Sequence, residues 1–127
     1  MIDNKELRVG NWVYLGDKTL FPMFIVSVSG DKDVTLDFKV NEGMPWEANA
    51  DYLVGIPLTV ELLTDAGFSS NGWFYWYNGF PFTLTPSESG WHLCYECRSI
   101  IDKPIKFVHE LQNVFYALMK EELKFNL

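Results

Sequence analysis

Apolar and polar positions alternate in ways that separate a β-rich body from a helical C-terminus. Along residues 104–120, PIKFVHELQNVFYALMK, a 3.6-residue period places Phe107, Val108, Leu111, Val114, Phe115, Leu118 and Met119 on one half of a helix. Ile105 and Gln112 fall at the margin of that half, and Lys106, Glu110, Asn113, Lys120 and Glu121 lie opposite. The pattern predicts a helix over 104–120 with Asp102 as N-cap and Pro104 in its first turn, where a missing N–H costs nothing. An apolar arc this wide requires a sheet, or several elements, against it.

The rest of the chain reads as strands and turns. Leu7–Leu15 alternates Val9, Asn11 and Val13 against Trp12 and Tyr14; strands over 23–29 and 33–39 follow the turn-forming runs Gly16-Asp17-Lys18 and Gly30-Asp31-Lys32. These three predict a meander with the pattern of a small SH3-like or otherwise strongly bent sheet, an architecture that hosts many functions. Residues 41–50, NEGMPWEANA, have no period and contain Gly43 and Pro45, so a loop is expected, with a subdomain break near it inside one domain of 127 residues. A short strand is expected over 52–56. Thr59 caps a predicted helix over 60–66; Gly67 and Phe68 then close it as a Schellman motif with Phe68 against Leu63.

Segments 73–77 and 80–85 flank Asn78-Gly79 and predict a hairpin on a two-residue type I′ turn, with Pro81 at an edge or a strand start. After a turn at 86–90, residues 91–98 complete a second, three-stranded meander. The expected fold class is α+β: antiparallel β meanders, a short helix, and a long C-terminal helix packed on the sheet.

Composition narrows the classes. At 48% hydrophobic and 17% aromatic the chain builds a core rather than remaining disordered. Ten Lys and Arg against 17 Asp and Glu leave a net charge of −7, which opposes direct binding along a nucleic-acid backbone. Three partner classes fit that charge: a protein, a neutral small ligand, or a DNA-binding protein deceived by an acidic mimic of nucleic acid. No apolar run reaches the ~18–20 residues that span a bilayer, and residues 1–10 carry no apolar signal segment, so a cytoplasmic location without membrane contact is expected.

Motifs for chemistry are incomplete. His109-Glu110-Leu111-Gln112-Asn113 begins like a zinc-protease helix, but Asn113 stands where the second histidine ligand belongs. Cys94 and Cys97 could recruit only His92 and His109 to a zinc ion, and strand alternation puts the two cysteines on opposite faces, so reduced, packed thiols are expected. Asp31-x-Asp33 lacks the glycine and glutamate of a calcium loop. There is no GxSxG, P-loop or GxGxxG. No catalytic residue, metal or cofactor is expected.

Two features remain. The uncharged run WFYWYNGFPF, 73–82, sets Trp73, Tyr75 and Tyr77 on one face and Phe74 and Trp76 on the other. One face suits the C-terminal helix; the other needs cover from the N-terminal half, a second protomer or a ligand. The second feature is the polar margin His109, Gln112, Asn113 and Tyr116, which either lines a pocket or hydrogen-bonds neighbouring loops.

Three runs carry a resemblance: Glu6-Leu7-Arg8-Val9-Gly10-Asn11-Trp12-Val13; Ile56-Pro57-Leu58-Thr59-Val60-Glu61-Leu62-Leu63 with Gly67-Phe68; and His109-Glu110-Leu111-Gln112-Asn113 with Ala117-Leu118 and Glu121-Glu122-Leu123. In this order the chain resembles a family of short, uncharacterised proteins from Bacteroidetes-group bacteria and their phages or mobile elements. The resemblance implies no activity, cofactor or catalytic residue. It implies a mobile or phage-linked gene, a setting in which small accessory binding proteins are common. The leading expectation is therefore a non-enzymatic, protein-binding accessory module, with self-association as a homodimer included. Its contact surface would comprise Phe74, Trp76 and the hairpin tip, or the loop bearing Trp46, since interface cores favour uncharged aromatic anchors. The alternatives are a nucleic-acid-related role, as acidic mimic or weak single-strand binder, and a small ligand-binding protein or hydrolase using the His109 margin.

Overall fold

The computed structural model describes all residues except 1, 3, 17, 18, 30, 31, 40–45, 97 and 126. The chain divides into two compact units, the first made of Met1–Ile56 with Phe107–Val114 and the second of Pro57–Lys106 with Phe115–Leu127. The expected α+β class holds, but each meander has five strands rather than three. No helix among the described residues is long and apolar enough to cross a membrane.

In the first unit the expected strand 7–15 forms only as β1, Trp12–Leu15. Its first half is taken by a turn that the Asn11 side chain closes, accepting from Arg8 N at 2.7 Å while Asn11 N donates to Arg8 O at 3.0 Å. β2 (Thr19–Ser29) and β3 (Asp33–Asp37) follow. The segment expected as a loop contributes β4, Trp46–Asn49, because its residues pair in register with β3, Trp46 opposite Leu36 and Asn49 opposite Asp33. Asn49 then caps a 3-10 turn, Ala50–Tyr52, by accepting from Asp51 N, and β5 (Leu53–Gly55) returns beside β1. The resulting order β4-β3-β2-β1-β5 is antiparallel throughout, so β4 and β5 extend the expected three-stranded meander at its two edges. Val13, Met23, Ile25, Val34, Leu36 and Leu53 form its core.

α1 (Val60–Ala66) opens the second unit as its caps predict. Thr59 accepts from Leu62 N, Gly67 stands at φ 108°, and Phe68 N donates to Leu63 O at 3.0 Å. Phe68 and Leu63 are both buried. β6 (Ser69–Ser70), β7 (Tyr75–Trp76), β8 (Thr83–Ser87), β9 (Gly90–Tyr95) and β10 (Arg98–Ser99) form an antiparallel sheet in sequence order. The expected two-residue Asn-Gly hairpin is replaced by a longer connection, since Trp76 pairs with Thr83. Gly79 has a positive φ but Asn78 does not, so the turn closed by Phe80 N to Tyr77 O is not type I′. Phe80 leaves the ladder to pack on Phe115, centroids 4.9 Å apart, and Pro81 has no N–H to extend the pairing.

The C-terminal helix, α2, runs Val108–Met119, shorter than the pattern suggested. Ile105 is held extended by two 2.7 Å backbone hydrogen bonds with Trp91, so neither Asp102 nor Pro104 starts the helix. Phe107 N instead donates to Glu110 Oε1 at 3.0 Å, one half of a capping box. The expected arc is only partly used: Val108, Leu111 and Phe115 are buried, whereas Leu118 is 46% exposed and His109 and Gln112 are buried in its place. Nor does the whole helix belong with the second meander; residues 107–114 group with the first unit, where the Phe107 ring rests on Gly55 so closely that a Cβ there would lie 2.5 Å from it.

Candidate functional site

The second sheet has two unlike faces. Register sets Tyr75, Leu84 and Leu93 side by side, with Leu84 and Leu93 fully buried and Tyr75 edge-on to Trp91 at 5.1 Å. Trp91 is anchored there by its indole N–H, which donates to Leu58 O at 3.0 Å. Because strand side chains alternate, the partners one step along face the other way. Trp76 pairs with Thr83, Thr83 with Cys94, and Cys94 with Ser99, which makes one continuous row across four strands.

This second face holds a groove of about 690 Å³. Thr83 and Thr85 of β8, His92 and Cys94 of β9 and Ser99 of β10 line it with Glu96, Trp73 and Phe74. The Thr85 hydroxyl and Cys94 Sγ are 3.8 Å apart, a weak contact that keeps the thiol in the floor. His92 Nδ1 is buried with no hydrogen-bond partner among the described residues. Phe74 packs on Trp76, centroids 5.7 Å apart. Trp73 departs from the expected alternation: Asn71 Oδ1 accepts from both Trp73 N and Phe74 N, and this Asx turn swings Trp73 out to 80% exposure. The volume suits a ligand or an inserted side chain, and the lining combines aromatic surface with a few polar groups, the usual makeup of a binding site.

Phe74 and Trp76 therefore lie together on the uncovered face, Phe74 half-buried and Trp76 37% exposed. Trp46 belongs to the first unit, where it packs edge-on against Phe38 at 5.6 Å and stays partly exposed. Two residues of the polar margin are tied by hydrogen bonds to the start of the first unit. Gln112 accepts from Trp12 N at 2.9 Å and donates to Gly10 O at 3.1 Å. Asn113 Oδ1 accepts from Asn11 Nδ2 at 2.9 Å and Arg8 Nε at 3.2 Å, while its Nδ2 donates to Glu6 O. Tyr116 is exposed. His109 is 1% exposed beside a small cavity of about 120 Å³ that Ile2, Glu6, Val54 and Glu110 also line; the Phe107 ring stacks at 12° to its imidazole. Burial holds the His109 pKa below its ordinary value, against the opposing pull of the Glu110 and Glu6 carboxylates.

The sequence reading named the aromatic wall of the groove but missed its floor. The signal was present as a period of two, Thr83-x-Thr85 and His92-x-Cys94-x-Glu96, set against Leu84 and Leu93. The pairing of Cys94 with Cys97 as ligands lies partly outside the described residues. Comparison of the chain with protein-family models, with curated proteins and with solved structures finds no match.

Proposed function

We propose that the chain is a non-enzymatic accessory module that captures a protein partner through the groove of the second sheet. One observation carries this reading: Trp73 and Phe74 wall a groove on one face of the sheet, Trp76 packs on Phe74 beside it, both tryptophans are exposed, and among the described residues Glu96 is the groove's single charged lining residue. Exposed tryptophan has a large apolar area that water solvates poorly, and it is the residue most enriched among binding hot spots. A mobile-gene setting, as the family resemblance implies, suits such a module.

The test pairs the intact chain with a Trp73→Ser/Phe74→Ser variant in affinity enrichment from host extract, with thermal unfolding measured on both. The expected result is loss of a partner at nearly unchanged stability, because neither side chain belongs to the buried core. Equal capture by both chains, or unfolding of the variant, overturns the reading.

A further inference from the structure

The groove offers aromatic surface, one carboxylate and the His92 imidazole, and among the described residues no lysine or arginine lines it. Glu96 is its only charged lining residue among those described. It sits in the connection between β9 and β10, where Tyr95 pairs with Arg98, so the loop is two residues long. Such loops demand positive φ, and Glu96 takes φ 50° there, although glycine or asparagine would do so more readily. The chain as a whole carries 17 acidic residues against 10 basic ones. Its field therefore draws cations and repels a second copy of itself.

The rim adds a further constraint. β10 is the outermost strand of the sheet and among the described residues pairs with β9 alone, so the far side of Ser99 is a strand edge beside the groove that no described strand takes up. An extended peptide added to that edge presents every second side chain to the face bearing Thr83 and Cys94. A cation lying over the Trp73 ring gains from the ring quadrupole, and a carboxylate beside it supplies a charge-assisted partner. Building on the docking role proposed above, we infer that the groove receives an extended basic segment of a partner protein, laid along β10, with a lysine or arginine side chain entering the groove beside Glu96.

The experiment is an NMR titration of the full chain with three capped pentapeptides, Thr-Val-Xaa-Val-Thr, in which the central residue is lysine, glutamine or glutamate. The indole N–H signals of Trp73 and Trp76 and the amides of Thr83 and Ser99 are followed. The lysine peptide is expected to bind about fivefold more tightly than the glutamine peptide at low salt, with glutamate weakest. Glu96→Gln should bring lysine and glutamine to near equality while the Trp91 indole signal stays in place. Equal lysine and glutamine affinity that still vanishes in Trp73→Ser overturns the cationic anchor and leaves the docking groove standing. Silence at all four positions with every peptide overturns both. Tetramethylammonium chloride reproducing the shifts at the same concentration assigns the groove to a small organic cation instead of a peptide. Concentration-dependent shifts of the same signals without peptide assign it to a second copy.

Discussion

The Gln112 carboxamide serves Trp12 as a neighbouring strand would, its Oε1 accepting the Trp12 N–H at 2.9 Å. Its Nε2 simultaneously donates to the Gly10 carbonyl two residues earlier, at 3.1 Å. These backbone groups lie just where β1 begins, so a side chain of α2 supplies the ladder contacts that no strand provides. Asn113 extends the same link to Asn11, Arg8 and Glu6. The sequence runs 6–13 and 109–113 thus interlock as structure.

Gln112→Ala should therefore leave a donor and an acceptor without partners at a position 2% exposed, and destabilise the chain by about 1–3 kcal/mol. The urea unfolding midpoint measures the loss. Hydrogen exchange at the Trp12 amide should accelerate more than at Val13, whose amide lies within the strand; uniform acceleration would count against a local role for the carboxamide.

Gly67 illustrates a purely local determinant. At φ 108° an L side chain is strained, and a Cβ would also stand 3.1 Å from the Tyr77 ring. Gly67→Ala is expected to cost about 1–2 kcal/mol, read as a lower thermal midpoint with the helix content by circular dichroism retained in the folded state.

What was legible in the sequence follows the range of each interaction. Thr59, Gly67 and Phe68 specify α1 through contacts within a few residues, and the expected boundaries hold. Periodicity starts α2 too early because Ile105 satisfies its backbone on Trp91, a partner invisible to helical spacing. The Asn78-Gly79 turn was misassigned for a similar reason, since burial of Phe80 against Phe115 outweighs the preference of two turn residues. Alternation alone places Phe74 and Trp76 on a shared face, and their rings pack on each other there. The groove floor needed register: Thr83, Cys94 and Ser99 are up to 16 residues apart and become neighbours only through strand pairing. Helical spacing groups His109, Gln112, Asn113 and Tyr116 on one margin, but the hydrogen-bond partners of Gln112 and Asn113 lie about 100 residues earlier in the chain.

His109 gives the chain a predictable acid sensitivity. Its folded-state pKa is lowered by burial, so the folded chain keeps the ring neutral while the unfolded chain takes up a proton below about 6.5. Between those two values the unfolded state binds more protons, and stability falls as pH falls. The contribution is fully present above 6.5 and is lost as pH drops towards the lowered folded-state value. His109→Leu should flatten the decline of the urea midpoint with acidity over that window. An unchanged pH profile in this variant would place the sensitivity on the carboxylates instead.

Cys94 provides a reporter within the groove itself. Cys94 is 8% exposed, sits between Thr83 and Ser99 in the cross-strand row and lines the groove, so an occupant of that space would cover it. In a Cys97→Ser chain, alkylation by iodoacetamide should be slow compared with a free thiol and slower again with the lysine pentapeptide present. Trp73→Ser opens one wall, so it should speed the reaction and abolish the peptide's protection together. Once alkylated, Cys94 carries extra bulk on the floor, and the modified chain should bind the peptide weakly while unfolding at nearly the same temperature. Rapid alkylation that the peptide leaves unchanged would show that the occupant sits elsewhere, and the aromatic wall would then need a different partner surface to explain its exposure.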